Sequence, residues 1–169
     1  MTAAAFFYGT LMSPVVRNRV LCGADASVDH HELKNSKIKP QHAVLKGHRR
    51  HALKGRDYPA VVYTGDDKDE VTGILVQGLH ALDVNRLDAF EGPEYKRTPV
   101  QVTAISDDQD GQQEPVDCDV YLWIGDKGIL EEQGWNLEDF VNGGKQKDWL
   151  QDRCEFFSVD DLDIHHNNN

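Results

Sequence analysis

"FFYGTLM", residues 6–12, runs three aromatic side chains directly into a glycine and a threonine. Phe6, Phe7 and Tyr8 have the side chains of a buried strand, and Gly9 ends it. The chain then meets Ser13-Pro14, an N-cap residue followed by proline at the first helical position, and the helix that starts there, "VVRNRVLCG", is stopped at Gly23. A strand that passes through glycine into a helix N-terminus presents unpaired N–H groups beside the positive end of a dipole, and the missing Cβ of Gly9 lets a ligand approach the backbone. Such a loop suits a carboxylate or a developing oxyanion. On its own, strand-glycine-helix is no more than a turn, so other residues must converge on it to make a site.

Outward from that stretch, strand-like runs recur. "HAVLKGHRRHALKG" (42–55), "YPAVVY" (58–63), "VTGILVQGL" (71–79), "YKRTPVQVTAI" (95–105) and "VDCDVYLWI" (116–124) carry β-branched and aromatic content with partial alternation. With residues 5–8 they predict a sheet of about six strands. Residues 81–91, "ALDVNRLDAFE", place Ala81, Val84, Leu87 and Phe90 on one helical face, and Gly92 closes the helix. From Trp135 to about Leu162 the sequence predicts two helices broken at Gly143-Gly144. The acidic clusters at 65–70, 106–114 and 160–163 read as solvated connections or frayed ends. Consecutive strands with helices at a few places predict an α+β fold with a curved or barrel-like sheet, in one domain over 1–163 with a disordered tail over 164–169.

Composition removes several function classes. At 169 residues with a formal charge of −11, the surface as a whole is unsuited to phosphate-driven nucleic-acid binding. No run reaches the length of a membrane span and no secretory signal opens the chain, so a cytoplasmic protein is expected, with no membrane partner. Cys22, Cys118 and Cys154 form no CxxC pair and fit reduced thiols. The histidines form no HExxH pattern: His30-His31 fall in an expected loop, His165-His166 in the tail, and His48 and His51 on opposite faces of a strand. No metal is therefore expected. Cys118 lies between Asp117 and Asp119, which oppose thiolate formation. Trp123, Trp135 and Trp149 read as packing residues. Residues 34–56 form a basic island of Lys34, Lys37, Lys39, Lys46, Arg49, Arg50, Lys54 and Arg56, read first as solvated faces and second as an attractor of a small anion.

"LDAFEGPEYKR", residues 87–97, seats Glu91 in the last turn of its helix, where the dipole disfavours negative charge. Dipole and desolvation beside Phe90 and Tyr95 should raise its pKa toward the range of a general acid-base. Asp88 and Glu94 are neighbouring carboxylates of the same type, and a solvent-facing Glu91 without a task is the competing reading.

"YGTLM", "LKGRDYPAVV" and "LDAFEGPEYKR", followed by "YLWI" and "WNLEDF", resemble in order and spacing the gamma-glutamylcyclotransferase-like superfamily, most closely its plant and fungal avirulence-induced branch. The resemblance covers roughly residues 5–150 and implies a small mixed barrel with flanking helices. It implies that Tyr8, Gly9, Thr10 and Leu11 hold the glutamyl carboxylate and amine, that Glu91 is the catalytic carboxylate, that Tyr58 and Pro59 border the pocket, and that Tyr95 supplies an aromatic hydroxyl.

The implied activity is cofactor-free closure of a γ-glutamyl amide to 5-oxoproline, with release of the amine and Glu91 as general acid-base. A non-catalytic module that keeps the pocket for a small amide or acid, or a sibling amide or acyl-transfer enzyme, are the alternatives. The partner expected is a small γ-glutamyl or related amide; the sequence fixes neither the amine released nor the oligomeric state. His48 and His51 stand where relatives of this branch often carry aromatic residues, and residues 24–34 look inserted relative to a compact member.

Overall fold

The first strand is buried on both faces, which explains its run of aromatic residues. In the computed structural model, which describes residues 2–105, 113–152 and 154–166, β1 (Ala3–Phe7) turns Phe6 into a cluster with Leu45, Val61, Leu75 and Val120, and Tyr8 follows it there. Ala5 and Phe7 enter a second cluster with Val16, Val20, Leu87 and Phe156. Alternation along one strand thus joins two cores.

β1 belongs to a closed five-stranded barrel with β2 (Gln41–Lys46), β5 (Glu70–Leu79), β6 (Tyr95–Ile105) and β7 (Gln113–Trp123), in the order β1-β5-β2-β6-β7. β7 closes against β1 in parallel and the remaining pairs are antiparallel, so the barrel is mixed. The long β6–β7 hairpin pairs Tyr95 with Trp123 at one end and Ile105 with Gln113 at the other. Most of the acidic cluster expected at 106–114 lies outside the described residues.

The run 42–55 is two strands. Gly47, at φ +75°, breaks it after β2, and β3 (His48–Ala52) pairs instead with β4 (Pro59–Tyr63) in a separate two-stranded sheet. A left-handed backbone is open to glycine at no steric cost, so a continuous-looking run can leave the barrel there. His48 and His51 serve this hairpin: His48 Nδ1 lies 2.9 Å from the Lys46 carbonyl oxygen and His51 Nδ1 lies 2.8 Å from that of Glu131.

α1 (Pro14–Cys22) is capped by Ser13 and ends at Gly23, and α3 (Ala81–Glu91) ends at Gly92, as the sequence predicts. The apparent insertion is helical rather than a loop: α2 (Val28–Ile38) starts at the Ser27 cap, contains His30 and His31, and docks through Lys34 Nζ, 2.5 Å from Asp83. Three helices, not two, occupy the last third: α4 (Leu137–Asn142), α5 (Lys145–Asp152) and, after a 3-10 turn over Cys154–Phe156, α6 (Phe157–His166). α6 includes residues 164–166, which the sequence reading assigns to the tail; residues 167–169 lie outside the described residues.

The acidic cluster at 160–163 is a docking device. Arg19 makes two hydrogen bonds to the Asp160 carboxylate, at 2.8 and 2.7 Å, and its guanidinium lies 4.5 Å from the centre of the Phe156 ring. Arg86 pairs with Asp163 and donates through Nε to the Val20 carbonyl at 2.7 Å. Two arginines rooted in α1 and α3 therefore fasten the C-terminal arm against the barrel's helical side. No helix among the described residues is long and apolar enough to cross a membrane.

Candidate active site

Where β1 ends, the chain turns through Gly9 into a 3-10 turn (Thr10–Met12), and a cavity of about 90 Å³ opens against it. Tyr8, Gly9, Thr10, Leu11, Tyr58, Pro59, Glu91 and Tyr95 all line it. The residues singled out in the sequence are thereby brought together from four separate segments. The sequence reading missed Trp149 and Glu155, which reach the same cavity from the C-terminal arm, and Tyr121 from β7.

The loop has its acceptors engaged and its donors free. Gly9 and Thr10 carbonyls accept from Met12 and Ser13 N–H groups, at 3.0 and 3.1 Å, and the Leu11 carbonyl accepts from Arg17 Nη1 at 3.1 Å. Among the described residues, the N–H groups of Gly9, Thr10 and Leu11 have no acceptor. Arg50 Nη1 donates to the Tyr8 carbonyl at 2.8 Å. In a trans peptide the C=O and N–H point oppositely, so this bond turns the Gly9 N–H away from Arg50. Pro59 packs so closely that a Cβ at Gly9 would lie 2.9 and 3.0 Å from its ring carbons. Glycine is required here by a close approach of backbone to side chain.

Glu91 ends α3 half-buried, and its carboxyl is pushed up to about 8, by burial first and then by the negative charge of Asp88. It makes no hydrogen bond or ion pair among the described residues. Its neighbours are engaged elsewhere. Asp88 accepts from the Tyr121 hydroxyl at 2.7 Å and pairs with Arg97 at 3.1 Å, and Glu94 pairs with Arg56 at 3.0 Å. Of the three carboxylates between 88 and 94, Glu91 is the one that lines the cavity.

Tyr8 and Tyr95 are fixed by hydrogen bonds to backbone carbonyls. The Tyr8 hydroxyl donates to the Tyr121 carbonyl at 2.5 Å and the Tyr95 hydroxyl to the Pro59 carbonyl at 2.8 Å; burial raises the pKa of both. Tyr95 also packs edge-on to Trp123, with ring centres 5.2 Å apart. Trp149 is anchored by Nε1 to Asp57 at 3.2 Å and packs against Tyr58, Phe90, Phe140 and Phe156.

The basic island does not line the cavity. Arg49 donates to the Glu132 carbonyl, Arg50 to that of Tyr8, Lys34 pairs with Asp83 and Arg56 with Glu94. Burial, with Asp119 and Asp117, pushes the Cys118 thiol up to about 12, which makes it a poor nucleophile. No group of three or more His, Cys, Asp and Glu side chains among the described residues is arranged to hold a metal ion.

Comparison with known proteins agrees with this architecture. Residues 5–137 match the model of the family described as gamma-glutamyl cyclotransferase, AIG2-like. AIG2-like protein A of Arabidopsis thaliana is 31% identical over 144 residues, 84% of this chain and 74% of that protein. A solution structure of another Arabidopsis thaliana protein superposes with a TM-score of 0.58 at 29% identity, covering 88% of this chain and 86% of its own. A yeast gamma-glutamyl cyclotransferase specific to glutathione shares the fold, with a TM-score of 0.53 at 9% identity and coverage of 95% and 96%.

Proposed function

Because the chain belongs to the gamma-glutamyl cyclotransferase, AIG2-like family, we propose that it closes a γ-glutamyl amide to 5-oxoproline and releases the amine, with Glu91 as the general acid-base. The observation that carries this reading is a carboxyl pushed up to about 8 that, among the described residues, has no hydrogen-bond or ion-pair partner, in one cavity with a loop whose N–H groups have no acceptor among those residues.

The chemistry follows from those groups. The α-amine of the glutamyl half attacks its own side-chain carbonyl, so the nucleophile and electrophile share a molecule. Proximity of this kind is worth roughly 7–11 kcal/mol and is built into the substrate, so the protein mainly has to hold the folded-back conformer. The α-ammonium beside a free α-carboxylate is more basic than a peptide N-terminus, whose pKa is about 8, so the raised pKa of Glu91 narrows the gap for proton transfer from it to the Glu91 carboxylate. Loop N–H groups stabilise the negative oxygen of the tetrahedral intermediate. Protonated Glu91 then gives its proton to the departing nitrogen as the C–N bond breaks, the ring nitrogen passes its remaining extra proton to the released amine, which leaves as an ammonium, and Glu91 is again an ionised carboxylate. One carboxyl serves both steps, and the reaction needs no oxidant, reductant or cofactor.

Tyr58 and Pro59 line the cavity beside the loop, with the Pro59 ring packed against Gly9. The test is release of 5-oxoproline from γ-glutamyl amides by the protein and by Glu91→Gln.

A further inference from the structure

Among the described residues, Arg17 is the most deeply buried arginine, 3% exposed against 7% for Arg19 and 6% for Arg86. Those two each pair with a carboxylate, Asp160 and Asp163. Arg17 has no carboxylate partner among the described residues, and its Nε makes no hydrogen bond. Burial pulls its guanidinium down to about 10, so it is still a cation at neutral pH. A buried charge without a counter-ion is costly. This one also folds back past the start of its own helix α1, to Met12 and Leu11, where the dipole favours an anion.

Its hydrogen bonds explain the position. Arg17 Nη1 donates to the Leu11 carbonyl at 3.1 Å and to the Met12 carbonyl at 3.3 Å. The N–H of the first of these peptides, on Met12, donates to the Gly9 carbonyl at 3.0 Å; that of the second, on Ser13, donates to the Thr10 carbonyl at 3.1 Å. The Gly9 and Thr10 carbonyls share trans peptides with the N–H groups of Thr10 and Leu11, which therefore point the opposite way. Arg17 thus holds the carbonyl end of the 3-10 turn, and two of the three free loop donors open at its other end. Arg50, at the Tyr8 carbonyl, aims the third.

We propose that Arg17 is a positioning residue for the substrate's α-carboxylate: it aims the Thr10 and Leu11 N–H groups and supplies, through the turn, the positive charge that this carboxylate neutralises. The inference rests on the glutamyl substrate of the reading above. A 3-10 turn of three residues is about 6 Å long, so cation, turn dipole and bound anion lie in series within a water-poor interior, where such charges act strongly on one another. The Gly9 N–H is left for the oxygen that becomes negative during the reaction. The contrast with Arg19 and Arg86 follows: the two arginines that fasten the arm carry their counter-ions in the chain, and the one behind the loop receives its counter-ion with the substrate.

The test separates charge from architecture. Isothermal titration calorimetry on the Glu91→Gln protein would compare γ-glutamyl-n-butylamide with the same compound carrying a primary carboxamide in place of its α-carboxylate. At about pH 6.5 both α-amines are protonated, so the probes differ in the carboxylate charge alone. The carboxylate probe should bind about tenfold or more tightly than the carboxamide, and the ratio should persist from about 0.05 to 0.5 M salt, because a buried cation is poorly screened. Adding Arg17→Gln, which keeps a donor and removes the charge, should bring the two probes within about twofold. Arg17→Lys, which keeps the charge, should retain most of the preference. Equal affinities in the Glu91→Gln protein, a preference lost at high salt, a preference unchanged by Arg17→Gln, or equal loss with glutamine and lysine would each overturn the assignment. Thermal melts identify folded variants; if Arg17→Gln does not fold, the salt series and Arg17→Lys decide. Release of 5-oxoproline is measured alongside in proteins that retain Glu91. An Arg17-dependent preference without release removes the cyclotransferase reading and keeps the role of Arg17; release with kcat/KM unchanged in Arg17→Gln does the reverse.

Discussion

Asp88 stands one helical turn before Glu91 and takes the Tyr121 hydroxyl at 2.7 Å, so a carboxylate held by a tyrosine and Arg97 acts on the unpartnered one beside it. Its negative charge is the second cause, after burial, of the elevated Glu91 pKa. Asp88→Asn keeps an acceptor for Tyr121 and removes the charge. Glu91 must be ionised to accept a proton, so kcat/KM should rise with pH through about 8 in the unsubstituted protein. In Asp88→Asn that rise should move to lower pH by roughly half a unit to one unit. A pH–rate profile that stays in place contradicts the coupling.

Stability should carry the opposite sign of pH dependence from a salt-bridged carboxylate. Burial and Asp88 push the Glu91 carboxyl up to about 8 from an ordinary carboxylate value of 4.5, so the folded state binds more protons between those limits. Its contribution is therefore fully present below about 4.5 and lost as pH rises through about 8. Glu91→Gln lacks that loss. Thermal melts at pH 5 and pH 9 should show the substituted protein falling less than the original.

The Arg50–Tyr8 bond predicts a catalytic effect from a residue outside the cavity. Arg50→Ala frees the Tyr8–Gly9 peptide to rotate, and a misaimed donor costs turnover more than ground-state binding. We expect kcat to fall about ten- to a hundredfold with KM changed less than threefold, and Arg50→Lys to recover part of the loss. Equal loss in kcat and stability, with no recovery by lysine, would mark a purely structural role.

Gly9→Ala places a methyl 2.9 and 3.0 Å from the Pro59 ring. The wall must move, at a cost of about 1–3 kcal/mol, and the cavity changes shape at the loop. Denaturant melts should show that loss, and turnover should fall further than stability accounts for.

What the sequence made legible was local. α3 could be read because its apolar spacing and Gly92 cap are encoded within a dozen residues, and Glu91 followed from its place at the helix end. Its high pKa was expected from the dipole and burial; the contribution of Asp88, which looked like a decoy, needed the fold. α2 escaped because "VDHHELKNSKI" has no apolar stripe and buries only Ile38, although Ser27 was a usable cap signal. The break at Gly47 escaped because strand composition continues on both sides of it. Trp149 and Glu155 were invisible as site residues, since nothing local distinguishes them: Arg19, Arg86 and the phenylalanine stack bring their arm to the cavity from far along the chain.

Asp160→Asn breaks a two-bond contact that fastens this arm. A loss of about 1–3 kcal/mol is expected, with faster limited proteolysis after α5 than elsewhere. Cleavage sites unchanged from the original protein would show that Arg19 does not hold the arm.

In the proposed reaction Glu91 moves the proton of an intramolecular cyclisation. Its most direct test is mass-spectrometric detection of 5-oxoproline from a panel of γ-glutamyl amines and dipeptides, with the original protein beside Glu91→Gln. Release by the original protein is expected, with at least a thousandfold less from Glu91→Gln (roughly the scale of one general acid-base plus the step it gates) and substrate binding retained. Equal release by the two proteins, or none from either while substrate binds, would contradict it.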